Sequence, residues 1–563
     1  MRDFRCLLPL SLLPFAGCGE APVGGGLDLA GWVVDLAGAA VDGPEAADMA
    51  TSADGAVRPT AADSGFRPKP NGFQFANYGV RQGITNLTPV EVRRFFGDSA
   101  CAAVMNGQCV LTPAAEAWMD EKNRQMGGGH CDGFAALSLQ LHRKIQSPGE
   151  LGDGATNAFD LDLDDNVKVQ REIAYWWTTQ TTNPTLAARR PRLLVNDVLD
   201  RLIDSFRGAD PESYTLSFWK SDWTGGHAVT PYAVVDKGNG KVWLMVYDNN
   251  FPDVERHFEF DRNTTEWSYT ASINPNAPKA LYAGDDMTKT LQLVPTGARR
   301  KPQICPFCGE VDANGPPMAG GVAEFRELSL IGDGSLLIAD PQGRRLGWVG
   351  GKLISEIPGA YFNPIPSDDL WADDPEPTYL LPHDSRLTVT VDGAAMAGPS
   401  LSDVTLVAPG YTLGVEGILL DPGQKDTLTV AAKGNELTYR TDSADSPVLR
   451  LGVATKDADW DFAVALSGEA GGQTVTLRLD LAKGRLAIVV ASRDGAGAWG
   501  VEVSRLHSDG ESVFSHGGNQ AAMSDTLYLE YGAWKGQGTP MPLGIDRGSD
   551  GTIDQTIQLT DDK

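Results

Sequence analysis

Between residues 88 and 206 apolar side chains recur at helical spacing, and beyond residue 212 they alternate or cluster in short runs. Thr88-Pro89-Val90-Glu91 and Thr112-Pro113-Ala114-Ala115-Glu116 each read as a helix start, with Thr as N-cap and Pro at the first helical position. Glu91 also stands at the capping-box position. The second helix is expected to run to about Asn123. Gly127-Gly128-Gly129 then breaks the pattern. Phe134, Leu137, Leu141 and Ile145 mark one buried helical face, which Pro148-Gly149 stops. Val169, Ile173 and Trp176, then Leu194, Val198, Leu202 and Phe206, predict two further helices.

The period then changes. Tyr214 to Phe218 alternates, and Ala228 to Val235 and Val242 to Tyr247 are apolar runs joined by Lys237-Gly238-Asn239-Gly240, a hairpin turn. His257 to Phe260 and Trp267 to Tyr269 read as further strands. Helices first and an antiparallel sheet second predict an α+β domain over residues 69–300. Residues 301–320 read as a linker. From 321 to 563 short strands dominate, as at 336–338, 387–391, 427–430 and 474–479, and their spacing predicts one or two all-β sandwiches.

Charge narrows the function classes. The chain has 563 residues, with 47 basic against 74 acidic, a formal charge of −27. Such a surface opposes binding to nucleic acid, which rewards cationic residues. The N-terminus has its own pattern. Arg2 and Arg5 precede an apolar stretch ending in Phe15-Ala16-Gly17-Cys18, too short to span a bilayer. This resembles the lipobox of bacterial lipoproteins. That resemblance implies a signal peptide over 1–18, lipidation of Cys18, and a cell-envelope location with membrane attachment through the lipid. Residues 19–68, rich in Gly, Ala, Asp and Pro, read as a disordered tether.

Export makes disulfides available. Cys101 and Cys109 flank the turn dipeptide Asn106-Gly107 and read as a local disulfide. Cys305-Pro-Phe-Cys308 lacks a second CxxC and a nearby His, so a structural disulfide is expected there rather than zinc. With Cys6 and Cys18 in the signal segment, Cys131 is the thiol left over.

Cys131 lies at the start of the predicted Phe134–Ile145 helix, where unpaired N–H groups favour a thiolate. His227, in Gly225-Gly226-His227-Ala228-Val229, begins a strand. The hairpin returns at Tyr247-Asp248-Asn249-Asn250, so Asp248 or an adjacent Asn is expected to orient the imidazole. Strand parity does not separate 248 from 250. Trp219 and Trp223 are core candidates that could also wall a cleft. His130 reads as structural, and the acidic runs at 160–165 and 546–554 read as loops and turns rather than calcium sites. No cofactor or metal is expected.

The order Gln125, Cys131, His227, Asp248 resembles the papain-like cysteine peptidase superfamily, especially its bacterial exported members. The resemblance implies a helical half carrying the nucleophile and a β half carrying the base. It implies an oxyanion hole made by Gln125 and the Cys131 N–H, and a polypeptide substrate. Asp132, not Trp, follows the cysteine, and a carboxylate there could oppose thiolate formation or bind substrate. Transglutaminase-like proteins share the Cys, His, Asp order, so acyl transfer remains an alternative. A non-catalytic surface protein, whose β modules bind a glycan or protein, is another.

Overall fold

The computed structural model describes residues 59–562 apart from 190–192, 222, 224, 273, 313–324, 351, 366–375, 384, 468–471, 492–495, 509 and 523–524. The signal segment, Cys18 and the tether up to residue 58 lie outside the described residues. The class is α+β, with a large β-rich C-terminal portion. Among the described residues no helix is long and apolar enough to cross a membrane.

The predicted helices form where their caps stand. Thr88 caps Pro89–Phe96 with a complete capping box, and the Thr112 hydroxyl accepts from the Ala115 N–H at the start of Pro113–Gln125. The helix Cys131–His142 is buried on nearly every face, so it runs through the core rather than along the surface. It crosses Val167–Thr178 closely. A Cβ at Gly133 would lie 2.2 Å from the Ile173 carbonyl oxygen, so only glycine permits this approach. The helix is shorter than expected: it ends at His142, and Ile145, assigned to its buried face, is exposed. The turn beyond it already satisfies the last carbonyls, with the Lys144 N–H donating to Leu141 and the Ile145 N–H to Gln140.

The β half is one antiparallel sheet. Its strands lie in the order Leu291–Pro295, Tyr214–Phe218, His227–Gly238, Lys241–Tyr247, Glu255–Asp261, Glu266–Ser272, Lys279–Asp285. The helix Val195–Phe206 covers one face through Val198, Leu199 and Leu202.

The tether assigned to residues 19–68 ends earlier than expected. Ala62–Asp63 adds a short strand against Val234 and Ala233, and Phe66 is fully buried among Leu139, Tyr232 and Tyr247. Composition hid this, because two ladder pairs and one aromatic anchor suffice to order a polar segment.

The C-terminal region is a single sandwich, not two. Among the described residues it comprises a nine-stranded and an eleven-stranded antiparallel sheet. One continuous core runs between them from Val311 to Leu559. The helix Pro113–Gln125 docks against it: Lys122, almost wholly buried, pairs with Glu327 at 3.0 Å, and Pro113 lies against Gly452. Both expected disulfides are present, with S–S distances of 2.00 Å for Cys101–Cys109 and 2.08 Å for Cys305–Cys308. The second disulfide carries Phe307 into a core shared with Phe96 and Trp118.

One buried carboxyl in the sandwich gives a pH-dependent stability. Asp459 accepts the Thr455 N–H at 3.0 Å, and burial raises its pKa to about 7. A folded-state pKa raised above the unfolded value means the group's contribution is fully present below about 3.8. It is lost as pH rises through about 7. Asp459→Asn keeps the acceptor and cannot ionise. It is expected to stabilise the protein at pH 8 by on the order of 2–4 kcal/mol and to be near neutral at pH 4. Denaturant melts at the two pH values check this.

Candidate active site

Cys131 is the first residue of its helix, entered through Gly129 and His130, and it is the one free cysteine among the described residues. Its side chain is fully buried against Ala228, the residue after His227. The N–H groups of Ala228 and Asp132 are directed at the sulfur. The fold therefore brings the nucleophile candidate from the helical half beside the base candidate from the β half.

His227 opens the strand His227–Gly238, paired opposite Phe218, whose ring meets the imidazole edge-on at 5.6 Å. Its Nε2 lies 2.8 Å from Asp248 Oδ1, with both side chains fully buried. Asp248 also accepts the Tyr269 hydroxyl at 2.5 Å and the Asn250 N–H at 3.0 Å, and Arg256 stands 3.7 Å away. Burial raises the Asp248 pKa, but His227, Tyr269 and the Asn250 amide together bring it below the usual carboxylate value. An ionised Asp248 accepts from Nε2–H, which leaves the lone pair on Nδ1. That Nδ1 is buried and has no hydrogen-bond partner. The unsatisfied atom is the one a general base needs.

Of residues 248, 249 and 250, Asp248 is the one whose side chain contacts the imidazole. Asn249 instead donates from Nδ2 to the carbonyls of Cys131 at 3.1 Å and Ala228 at 2.9 Å, tying the Cys131 helix to the His227 strand. Asn250 donates to the Ser272 carbonyl. Asn77, not anticipated from sequence, joins both sides. Its Oδ1 accepts the His130 N–H, its Nδ2 donates to Asn250 Oδ1, and its own N–H donates to the Asn249 carbonyl.

No protein-family model, no curated protein and no solved structure matches this chain. The chemistry of the site therefore rests on its own contacts.

Three expectations need correction. Gln125 does not present its amide to the thiol. Its Nε2 donates to Glu121 Oε1 at 3.1 Å and to Thr378 Oγ1 at 2.9 Å, which uses both hydrogens. Docking of its helix on the sandwich turns it that way. Second, the thiol is not poised as a thiolate. Burial, and after it the Asp132 charge, pushes the Cys131 pKa well above its ordinary value, outweighing the two amides. Burial thus favours the neutral thiol over the thiolate. Third, of the two roles open to Asp132, its charge does oppose thiolate formation, but its carboxylate is buried rather than open to a substrate. Arg299 grips it through two 2.8 Å bonds, and both side chains are fully buried.

His130 is held by the Tyr78 carbonyl at Nδ1, 2.8 Å, and Asn86 at Nε2, 2.9 Å, with its ring against Tyr78. Burial lowers its pKa to about 4, so it stays neutral and structural. Trp219 is buried, while Trp223 is half-exposed with its ring 5.2 Å from Trp219.

Proposed function

We propose that this chain is an exported, lipid-anchored cysteine hydrolase whose papain-like domain, residues 69–300, cleaves peptide bonds. The observation that carries the reading is the buried His227–Asp248 pair with its unpartnered Nδ1, beside the one free thiol among the described residues. Nδ1 takes the thiol proton as sulfur attacks the carbonyl and returns it to the leaving amine; water, giving a proton to Nδ1, then cleaves the acyl–sulfur bond, releasing the acid and restoring the thiol. Asp248 fixes the tautomer and stabilises the imidazolium. With the Gln125 amide committed elsewhere, the oxyanion donor is the Cys131 N–H, which in the first helical turn has no intrahelical acceptor. Because burial disfavours the thiolate, proton transfer to Nδ1 is expected to accompany attack.

A second reading, acyl transfer, draws support from the identity of the third member. A carboxylate, Asp248, holds the imidazole rather than either neighbouring asparagine. The Cys, His, Asp order is the one that transglutaminase-like proteins share. Incorporation of a labelled primary amine into an acceptor peptide separates transfer from cleavage.

The test is digestion of a peptide library by the full chain, read by mass spectrometry, alongside Asp248→Asn. The variant is expected to lose roughly 10³–10⁴-fold in kcat/KM by losing the correct tautomer, with unfolding nearly unchanged. Equal activity in the variant and the parent contradicts the role given to Asp248.

A further inference from the structure

Far along the chain from Cys131, the sandwich holds a cavity of about 610 Å³. This is within the roughly 300–1,000 Å³ usual for small-molecule sites. Its walls are turns drawn from both sheets. They include the turn between strands Val448–Val453 and Asp459–Ser467, the turn after Gln473–Asp480, the end of Ala496–His507, and the short helical turn Tyr531–Ala533. Every lining residue lies at or beyond Val311, so the cavity belongs to the C-terminal region alone.

The chemistry of the walls is specific. Trp460 is half-buried, with its ring centroid 4.7 Å from that of Tyr531. The Arg505 guanidinium lies 5.9 Å from the Trp460 centroid and 5.5 Å from that of Trp534, which orders it beside the aromatic floor. Lys456 and Asp457 stand exposed on the rim, and Asp312 contributes a second carboxylate. Two cations thus face two carboxylates around an aromatic surface.

We propose that this cavity binds a neutral saccharide. A pyranose offers an apolar C–H face to an indole ring and a ring of hydroxyls that both donate and accept. Balanced Lys, Arg and Asp side chains match those hydroxyls, whereas a polyanion finds no excess of cations and a chain with a net charge of −27. An extended peptide is commonly taken up along an unpaired strand edge. Here the walls are turns, which offer no such ladder. A wholly apolar ligand would make no use of the charged rim beside the rings.

The experiment is calorimetric titration of the full chain with cellotetraose, maltotetraose, xylotetraose and chitotetraose, and with oligogalacturonate as the charged counterpart. At least one neutral tetrasaccharide is expected to bind. Trp460→Ala should weaken that binding at least tenfold, and the rim double variant Lys456→Ala/Asp457→Ala should weaken it about fivefold. Both rim residues are exposed, so the double variant remains informative if Trp460→Ala fails to fold. Cys131→Ala should bind as the parent does, which separates this site from the thiol. No binding by any neutral sugar, binding by oligogalacturonate alone, or binding that the foldable variants leave unchanged would each overturn the proposal.

Discussion

Replacing Cys131 with alanine is expected to abolish hydrolysis, lowering kcat/KM by at least about 10⁴-fold, since removing a nucleophile from a concerted triad costs nearly the whole covalent pathway. The substitution removes one buried sulfur next to Ala228 and, with it, a weak acceptor for the Ala228 and Asp132 N–H groups. Its stability cost should stay near 1–2 kcal/mol, that of a small cavity. Activity and stability therefore separate. A cysteine that served only to fill space would show the reverse: the small stability loss with turnover intact. Steady-state kinetics on a peptide identified from the library, with a denaturant melt of the same sample, reads both quantities.

The largest stability effect is expected at Arg299. Its Nη1 donates to Asp132, to the Trp176 carbonyl and to the Thr179 hydroxyl. Its Nη2 donates to Asp132 and Thr215. These bonds join the helix Cys131–His142 to the end of Val167–Thr178 and to the strand Tyr214–Phe218. Arg299→Met strands the Asp132 carboxylate in a fully buried site, which costs about 3–5 kcal/mol. Adding Asp132→Asn removes the stranded charge, so the double variant should recover at least half of that loss. Urea melts of both single variants and the pair give the coupling energy. Additive losses would mean that the two side chains act independently, against their paired geometry.

Much of the arrangement is legible along the chain because it depends on local signals. Thr-Pro starts, a glycine break and a Gly-Asn-Gly turn locate the helices and the hairpin. Subtraction of paired cysteines isolates Cys131. Asp248 is named by the order of residues, but strand geometry does not separate it from its neighbours. The ladder pairs Thr230 with Tyr247, and simple extension would set His227 opposite Asn250. The chain instead turns after Tyr247, with the Phe251 N–H donating to the Asp248 carbonyl, and this swings Asp248 onto the imidazole.

Long-range contacts account for the other failures. Gln125 has the right spacing from Cys131, yet its helix also forms the seam with the sandwich, and Thr378 lies 253 residues away. No local pattern announces that contact. Asp132 beside Cys131 does disfavour a thiolate, as its position suggests, but its grip by Arg299, 167 positions on, has no local signal. Burial of the thiol depends on how the two halves close over it. A helix-start argument considers only the dipole, and desolvation opposes it more strongly here. Asn77 and Asn249, which hold the two halves in register, are ordinary loop asparagines until the fold places them.

The most direct test of Cys131 as a His227-activated nucleophile is alkylation of the native full chain with iodoacetamide from pH 5 to 9, mapped by peptide mass spectrometry. The parent and His227→Ala are to be compared. A buried, neutral thiol labels slowly at acid pH, so the informative quantity is the dependence on the imidazole. Cys131 is expected to be modified in the folded parent near neutral pH, and at least tenfold more slowly in His227→Ala. Equal rates in the two proteins, or a Cys131 that reacts only after unfolding, would mark it as a packing residue and contradict the hydrolase.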